Sequence, residues 1–429
     1  MNRLLFIPLL IVAVVISSSD ARKLLVGPSR TYKTPCDAAG AALSGDTVEI
    51  DTGTYIDQAC IWSASNTVIR GVSQFAHLKP PAVISNGKAI LVISGNNTVV
   101  ENIEFSDAKV TDNNGAGIRQ EGKDVTIRHC YFHDCEDGIL GGNGSVLIEY
   151  SEFFHNGFGD GYTHNMYISA CDTFTLRYCF THASNEGHTV KSRAFRNYIM
   201  YNRIASEDDS TSYEINLPNA GTSFIIGNLI EQGPNTHNSA IIDYGSEGLA
   251  GHDSALYVVN NTIVNDLGRG SFISVSSTAN HAKVCNNFFV GGGTMCNRPV
   301  DSSGNIVTNT PAFVDRANYD YHLTAASPGI DKGVNPGSAG GFSLTPVFQY
   351  VYNCSGEPRT VAGNALDVGA LEFSSAGILT RLPRLTLHKT GRSFGLGSNP
   401  AWDVLGRSMS ENKKFLSRSV HLIGVVEKE

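Results

Sequence analysis

Apolar and polar positions along the chain repeat in blocks. Residues 98–105, 125–132, 146–153, 174–181, 197–204, 223–230, 256–263 and 282–289 share one template, with starts separated by 27, 21, 28, 23, 26, 33 and 26 residues. In each block the first half alternates apolar with polar, as a strand with one buried face must, and a small or amide residue then interrupts. That sixth position is Cys130, Ser151, Cys179, Asn202, Asn228, Asn261 and Asn287 in successive blocks after the first. Amides stacked at the strand spacing of ~4.8 Å can hydrogen-bond up and down a column. The pattern predicts a buried polar ladder in a sharp turn, with Cys130 and Cys179 as small buried thiols within it.

A second periodic strand lies between the blocks, with Ile118, Ile139, Met166, Val190, Ile215, Ile242 and Ile273 as its inward column. Short strands recurring without a helical period predict a single-stranded parallel β-helix, an all-β solenoid whose edges exist only at its two ends. Composition supports this class. The chain has 44 Gly and 34 Asn, and 17% of it is charged, against the ~25% usual for soluble domains, which disfavours a helical bundle.

Arg3 precedes a 13-residue apolar run from Leu4 to Ile16 and then a polar stretch to Ser19, Asp20 and Ala21. Residues 1–21 are therefore expected to be a cleaved signal peptide, too short in its apolar part to span a bilayer. An exported protein, secreted or periplasmic, monomeric and without a membrane span, is the expectation. A net charge of -8 with no Lys/Arg run longer than two leaves no footprint for nucleic acid. Of nine Cys, Cys36 and Cys60 flank one helix–strand unit and are the predicted disulfide pair. Neither a CxxC pair nor an HExxH spacing points to a transition metal. Residues 377–429 carry nine Lys/Arg against four Asp/Glu and no template, so a poorly ordered basic tail is expected.

A β-helix core is self-sufficient, so function must sit on outward positions and turns. The outward column next to the inward one reads Arg119, Leu140, Tyr167, Lys191, Asn216, Asp243 and Ser274. Arg119 to Lys191 is three coils, ~14 Å at ~4.8 Å each. Asn165 and Glu214 occupy the outward position before that column, and Arg193 the one after it. His164 and His188 both precede the inward column by two residues, so their imidazoles should stack. Tyr167, Lys191, Arg193, His164 and His188 are the candidate catalytic set, with Arg119, Asn165, Asn216, Glu214 and Asp243 binding substrate around them. The competing expectation makes the two histidines turn residues bonded to backbone and Lys191 a solvated face. Arg193 beside Lys191 would lower the Lys pKa by like-charge repulsion.

The helix-like opening from Pro35 into Gly45-Asp46-Thr47 and Gly53-Thr54-Tyr55, the Asn-bearing coils, and the closing Asp320 to Gly333 and Asp367 to Glu372 segments together resemble the pectin-lyase-like right-handed parallel β-helix superfamily. The resemblance spans residues 25 to 373 and implies one β-helix domain with an N-terminal helical cap, acting on a polysaccharide. Asn185 to Ala194 is similar to the acidic-then-Lys coil of alginate lyase and chondroitin-B lyase type proteins. That similarity implies Lys191 as base and Glu186 as a Ca²⁺ ligand. Where that group places an Arg on the following coil, this chain has Glu214, Asn216 and Pro218. Three functional classes stay open: β-elimination or epimerisation on a uronate-containing polysaccharide, hydrolysis by the carboxylate pair Glu214 and Asp243, and glycan binding without cleavage.

Overall fold

The computed structural model describes residues 21–374. Residues 1–20 of the expected signal peptide and the expected tail from 377 onward lie outside the described residues. Each coil lays down three strand runs. The first half of the template forms a first sheet, the second half a second sheet, and the intermediate strand a third. Thr47–Tyr55 and Val68–Leu78 run unbroken from the first sheet into the second, which joins the two as one 21-stranded assembly. The third sheet has ten strands, from Cys60–Trp62 to Thr294–Cys296. All neighbouring strands in these sheets pair in parallel, coil on coil, and the fold is a right-handed parallel β-helix.

Pairing follows the template columns. Thr98 pairs with Val125, Val125 with Val146, Val146 with Phe174, Phe174 with Asn197, and so on to Leu256 with Ala282. The interior is a stack of like upon like, as in Phe105, Phe132 and Phe153, whose ring centres lie 4.9 and 4.7 Å apart.

The corner between first and second sheets explains the amide column. Its first residue takes a left-handed backbone at Asn102, His129, Tyr150, Tyr178, Tyr201, Gly227, Asn260 and Asn286, with φ between 48° and 68°. Most of these are not glycine, so each carries local strain that the corner must offset. The next residue offsets it. Asn202 donates both its backbone N–H and its Nδ2 to Asn228 Oδ1 at 3.0 Å, and the same pair of bonds runs from Asn228 to Asn261, Asn261 to Asn287 and Asn287 to Asn305. Each Nδ2 also donates to a carbonyl of the coil before, Leu176 for Asn202 and Ile199 for Asn228. Upstream, Ser151 Oγ and Asn202 Oδ1 accept from the backbone of Cys130 and Cys179. Both thiols are free and buried, and burial pushes Cys130 up to about 12.

At the N-terminal end, Pro35–Ala39 is a helix of only five residues, opened by a capping box between Thr34 and Asp37. That is little more than one turn, with Ala38 and Ala39 buried, and it does not by itself make the expected helical cap. Cys36 and Cys60 form a disulfide with Cα atoms 5.5 Å apart. The predicted span of 25 to 373 needs correction at its other end. Coiling stops with Ile306–Thr308, and the chain then makes short antiparallel hairpins at Phe313 with Leu323, Ser338 with Ser343 and Phe348 with Pro358. This segment returns along the outside of the coils. The cause is apolar surface on outward positions: Leu344 packs with Tyr178, Tyr201, Phe224, Ile226 and Val259, while Tyr321, Tyr350 and Val368 pack with Leu229, Val264, Phe288 and Val290. Asn260 and Asn286 hold the strap by donating to the carbonyls of Asp367 and Val334. A buried ion pair between Arg359 and Glu372 braces it from within.

Replacing Asn228 with Leu removes an amide that serves both neighbouring coils. The unfolding free energy from denaturant titration should fall by about 1 to 3 kcal/mol, the usual cost of leaving buried polar groups unsatisfied. An unchanged midpoint would mean the ladder contributes nothing to stability.

Candidate active site

The outward column of the third sheet runs Val92, Arg119, Leu140, Tyr167, Lys191, Asn216, Asp243 and Ser274, each paired with the next. Strand alternation aims these side chains outward, since Met166 and Ile168 beside Tyr167, and Val190 and Ser192 beside Lys191, are buried. Lys191 is half-buried and its Nζ stands 4.8 Å from the centre of the Tyr167 ring. Arg193 lies over the same ring and donates from Nε to Tyr167 Oη at 2.7 Å. Its other nitrogens reach Asn219 Oδ1 and, at 2.7 Å, Glu247 Oε2. Burial, and then the Arg193 charge, lower the Lys191 pKa, while Glu247 and Asp137 oppose the shift. Lys191 therefore loses its proton more readily than a solvated lysine.

Along the lane, Asn216 Nδ2 and Ser246 Oγ both donate to Asp243 Oδ2, at 2.8 and 2.5 Å. Burial pushes the Asp243 carboxyl up despite these donors. Asp243, Ser246, Ser274, Asn297 and Arg298 border an open depression of ≈ 540 Å³ that extends the lane. Arg119, half-buried, stands on the other side of Tyr167 beyond Leu140.

Asn216 and Asp243, expected to face substrate, are each only 3% exposed on the lane itself, and four further residues placed in or beside a solvent-facing groove are interior. His164 and His188 stack face to face, ring centres 4.5 Å apart, but His164 is fully buried and His188 nearly so. They form a second ladder. The His164 N–H donates to Asp137 Oδ1, the His188 N–H to His164 Nδ1, and the Tyr213 N–H to His188 Nδ1. Both imidazoles are thus acceptors held neutral, His164 well below its ordinary pKa and His188 at about 3, with burial as the main cause. Asn165 bonds Asn156 and the His182 carbonyl at the same corner. Glu214 is enclosed by hydroxyls, accepting from Thr189, Ser206 and Thr211. All four precede a third-sheet strand, where the chain is still turning and alternation does not yet apply. Glu214 and Asp243 consequently do not face one substrate, which removes the carboxylate pair of the hydrolase reading. Glu186 sits on the turn with a left-handed φ of 57° and belongs to no group of three closely spaced metal-ligating side chains among the described residues.

Asn219, Ser246, Glu247 and Arg298 were not foreseen. They lie in loops that leave the third sheet, outside any repeating column; the turn-forming Pro218-Asn219 and Gly245-Ser246-Glu247-Gly248 runs are the only sequence signal for the first three, and Pro299 after Arg298 the only one for the last.

With this geometry in view, comparison with known proteins bears on the fold. The family model described as "Right handed beta helix region" matches residues 52–192. The solved structure of pectate lyase Pel9A is similar with a TM-score of 0.57 at 14% identity, over 83% of this chain and 97% of that one. Two structures of the PL6 family alginate lyase AlyGC give TM-scores of 0.34 and 0.29 at 14% and 13% identity, over 82% of this chain and 57% of theirs. Comparison with curated proteins finds no match. Among the described residues no helix is long and apolar enough to cross a membrane.

Burial raises the Glu214 carboxyl from 4.5 to about 7 against its three hydroxyl donors. The folded state keeps a proton that the unfolded chain releases above ~4.3, so stability is lost as pH rises from there through about 7. Glu214→Gln should stabilise the protein relative to wild type at pH 8, by on the order of 3–4 kcal/mol, and change little at pH 4. Equal differences at the two pH values, measured by denaturant titration, would show that Glu214 ionises normally.

Proposed function

We propose that the protein cleaves an acidic, uronate-containing polysaccharide by β-elimination in the lane over the third sheet. One observation carries this reading: Lys191, a cation, is held half-buried against an aromatic face with a second cation, Arg193, as its near neighbour. Such an arrangement suits a base and has little value for solubility. β-Elimination removes the proton next to the sugar carboxylate, breaks the bond to the neighbouring glycosidic oxygen and leaves a carbon–carbon double bond. Neutral Lys191 takes that proton. The positive charge of Arg193 favours the carboxylate as electron density moves onto it. Tyr167, whose oxygen accepts from Arg193, keeps its own proton to offer the departing oxygen. Asn216, Asp243 and Arg119 continue the lane and bind flanking sugars. In this reading Arg193, and not a Ca²⁺ ion at Glu186, meets the substrate carboxylate.

The name of one structural neighbour, pectate lyase Pel9A, supports the uronate class. Export to the periplasm or the cell exterior, as a monomer, is part of the proposal, because polysaccharides of this kind lie outside the membrane. Epimerisation would use the same proton abstraction followed by return of the proton to the other face. Binding without cleavage is the second reading, favoured by the engagement of Arg193 with Asn219, Glu247 and Tyr167.

A panel of uronate polysaccharides monitored for ultraviolet absorbance of an unsaturated product should give a signal with wild type. Lys191→Ala should reduce kcat by about 10²–10⁴-fold, the usual range for loss of a general base, with the thermal midpoint nearly unchanged. The rate should rise with pH along a limb whose apparent pKa lies below the ordinary lysine value of ~10.4. Full activity of Lys191→Ala would sink the elimination mechanism, and retention of glycan with no product would favour the binding reading.

A further inference from the structure

On the outer face of the second sheet, three successive coils bring together His77, Glu104 and His133. His77 pairs with Glu104, and His133 with Ser106 two residues further along the same strand. The three side chains are 19%, 23% and 18% exposed, enough for an ion to enter. His77 Nδ1 lies 3.6 Å and His133 Nε2 3.1 Å from one and the same oxygen, Glu104 Oε1. One ligand atom from each lies within 4.8 Å of the others. A tetrahedral zinc ion with nitrogen and oxygen ligands at ~2.0–2.2 Å sets its ligands about 3.3 Å apart. Both histidine–carboxylate spacings therefore lie near that value, and the two histidine nitrogens are within 4.8 Å of each other.

The other nitrogen of each ring is also tied. His133 Nδ1 meets Asp134 Oδ2 at 2.8 Å. His77 Nε2 meets Ser106 Oγ at 2.8 Å, and that hydroxyl donates to Asp107 Oδ2 at 2.7 Å. Outer carboxylates that fix ring orientation in this way are a regular companion of metal-bound histidine. Asp107 and Asp134 are themselves placed by left-handed turns, φ 65° and 54°, directly after the strands that carry Ser106 and His133. Lys79 pairs with Asp107 and His155 with Asp134, which anchors the outer carboxylates in turn. A simple ion pair needs one histidine nitrogen and one carboxylate. Two rings converging on one oxygen, each braced behind, exceed that need.

We propose that His77 Nδ1, His133 Nε2 and a Glu104 carboxylate oxygen form a site for a divalent transition metal of the zinc type, its remaining position open to solvent. Two imidazoles and one carboxylate suit such an ion better than Ca²⁺, which prefers six to eight oxygens. The site is on a different sheet from the Lys191 lane and does not depend on the proposed cleavage.

The test uses the full chain, freed of metal by chelator and titrated with zinc chloride by calorimetry near neutral pH. One zinc per chain is expected, and Co²⁺ in its place should give the visible absorption of a four-coordinate site. Glu104→Gln should weaken binding at least 100-fold and Asp134→Asn by about 10–100-fold, with apo-protein thermal midpoints close to wild type. His77→Ala should abolish the Co²⁺ spectrum. If that variant fails to fold, Glu104→Gln alone decides. No zinc uptake by wild type, or equal uptake by wild type and Glu104→Gln, would overturn the proposal.

Discussion

The side-chain amide at each corner is the interaction on which the other features rest. A chain that turns sharply between two sheets exposes backbone N–H and C=O groups to an apolar interior, where each unpaired group is costly. An asparagine carries a donor and an acceptor on one rigid plane. From Asn202 to Asn305 it serves the coil on either side at once. Because the amides stack, every coil rises by the same step and leaves the corner in the same phase. The outward columns of the third sheet are aligned as a result, and a lysine on one coil can sit over a tyrosine on the coil before it.

The fold was legible because a solenoid writes its period directly into the chain. Each block pairs with its neighbours, so a column in the alignment is a column in space. The placement of the middle of the candidate site was legible for the same reason: Tyr167, Lys191 and Arg193 lie on or just after a strand, where alternation decides direction. At the corners it decides nothing. His164, Asn165, His188 and Glu214 all fall in residues still turning, and there the need to satisfy backbone groups governs orientation. Asn219 and Glu247 come from loops with no counterpart on other coils. His77, Glu104 and His133 are separated by a coil each, so no short spacing motif announces them. The returning segment after residue 308 was hidden because the aromatic and aliphatic residues it covers stand at positions the template assigns to solvent.

Charge placement distinguishes the candidate-site column from a column of the first sheet. On the first sheet Arg128, Glu149 and Arg177 alternate in sign, and the central Glu149 is bonded to both arginines. Such a stack lowers its own electrostatic energy. On the third sheet Lys191 and Arg193 are of like sign, share one aromatic ring and have a single carboxylate, Glu247, bonded to the arginine. Nothing in the β-helix requires that arrangement, which lets the lysine lose its proton more readily than a solvated one.

The strap changes how the molecule must be assembled. A plain solenoid can complete itself coil by coil as it is synthesised, since each repeat touches only its neighbours. Here Cys354 reaches back to Ser151, Val347 to Tyr201, and Ala370 to Thr262. Coils formed early therefore stand with Tyr201, Phe224, Ile226 and Val264 bare until the last part of the β-helix unit has emerged. During that interval the outer wall is an adhesive surface, available to other nascent chains or to a chaperone. The final residues of the described chain thus act as a lock on the order of folding, and the interval before they arrive is when the protein is most open to aggregation.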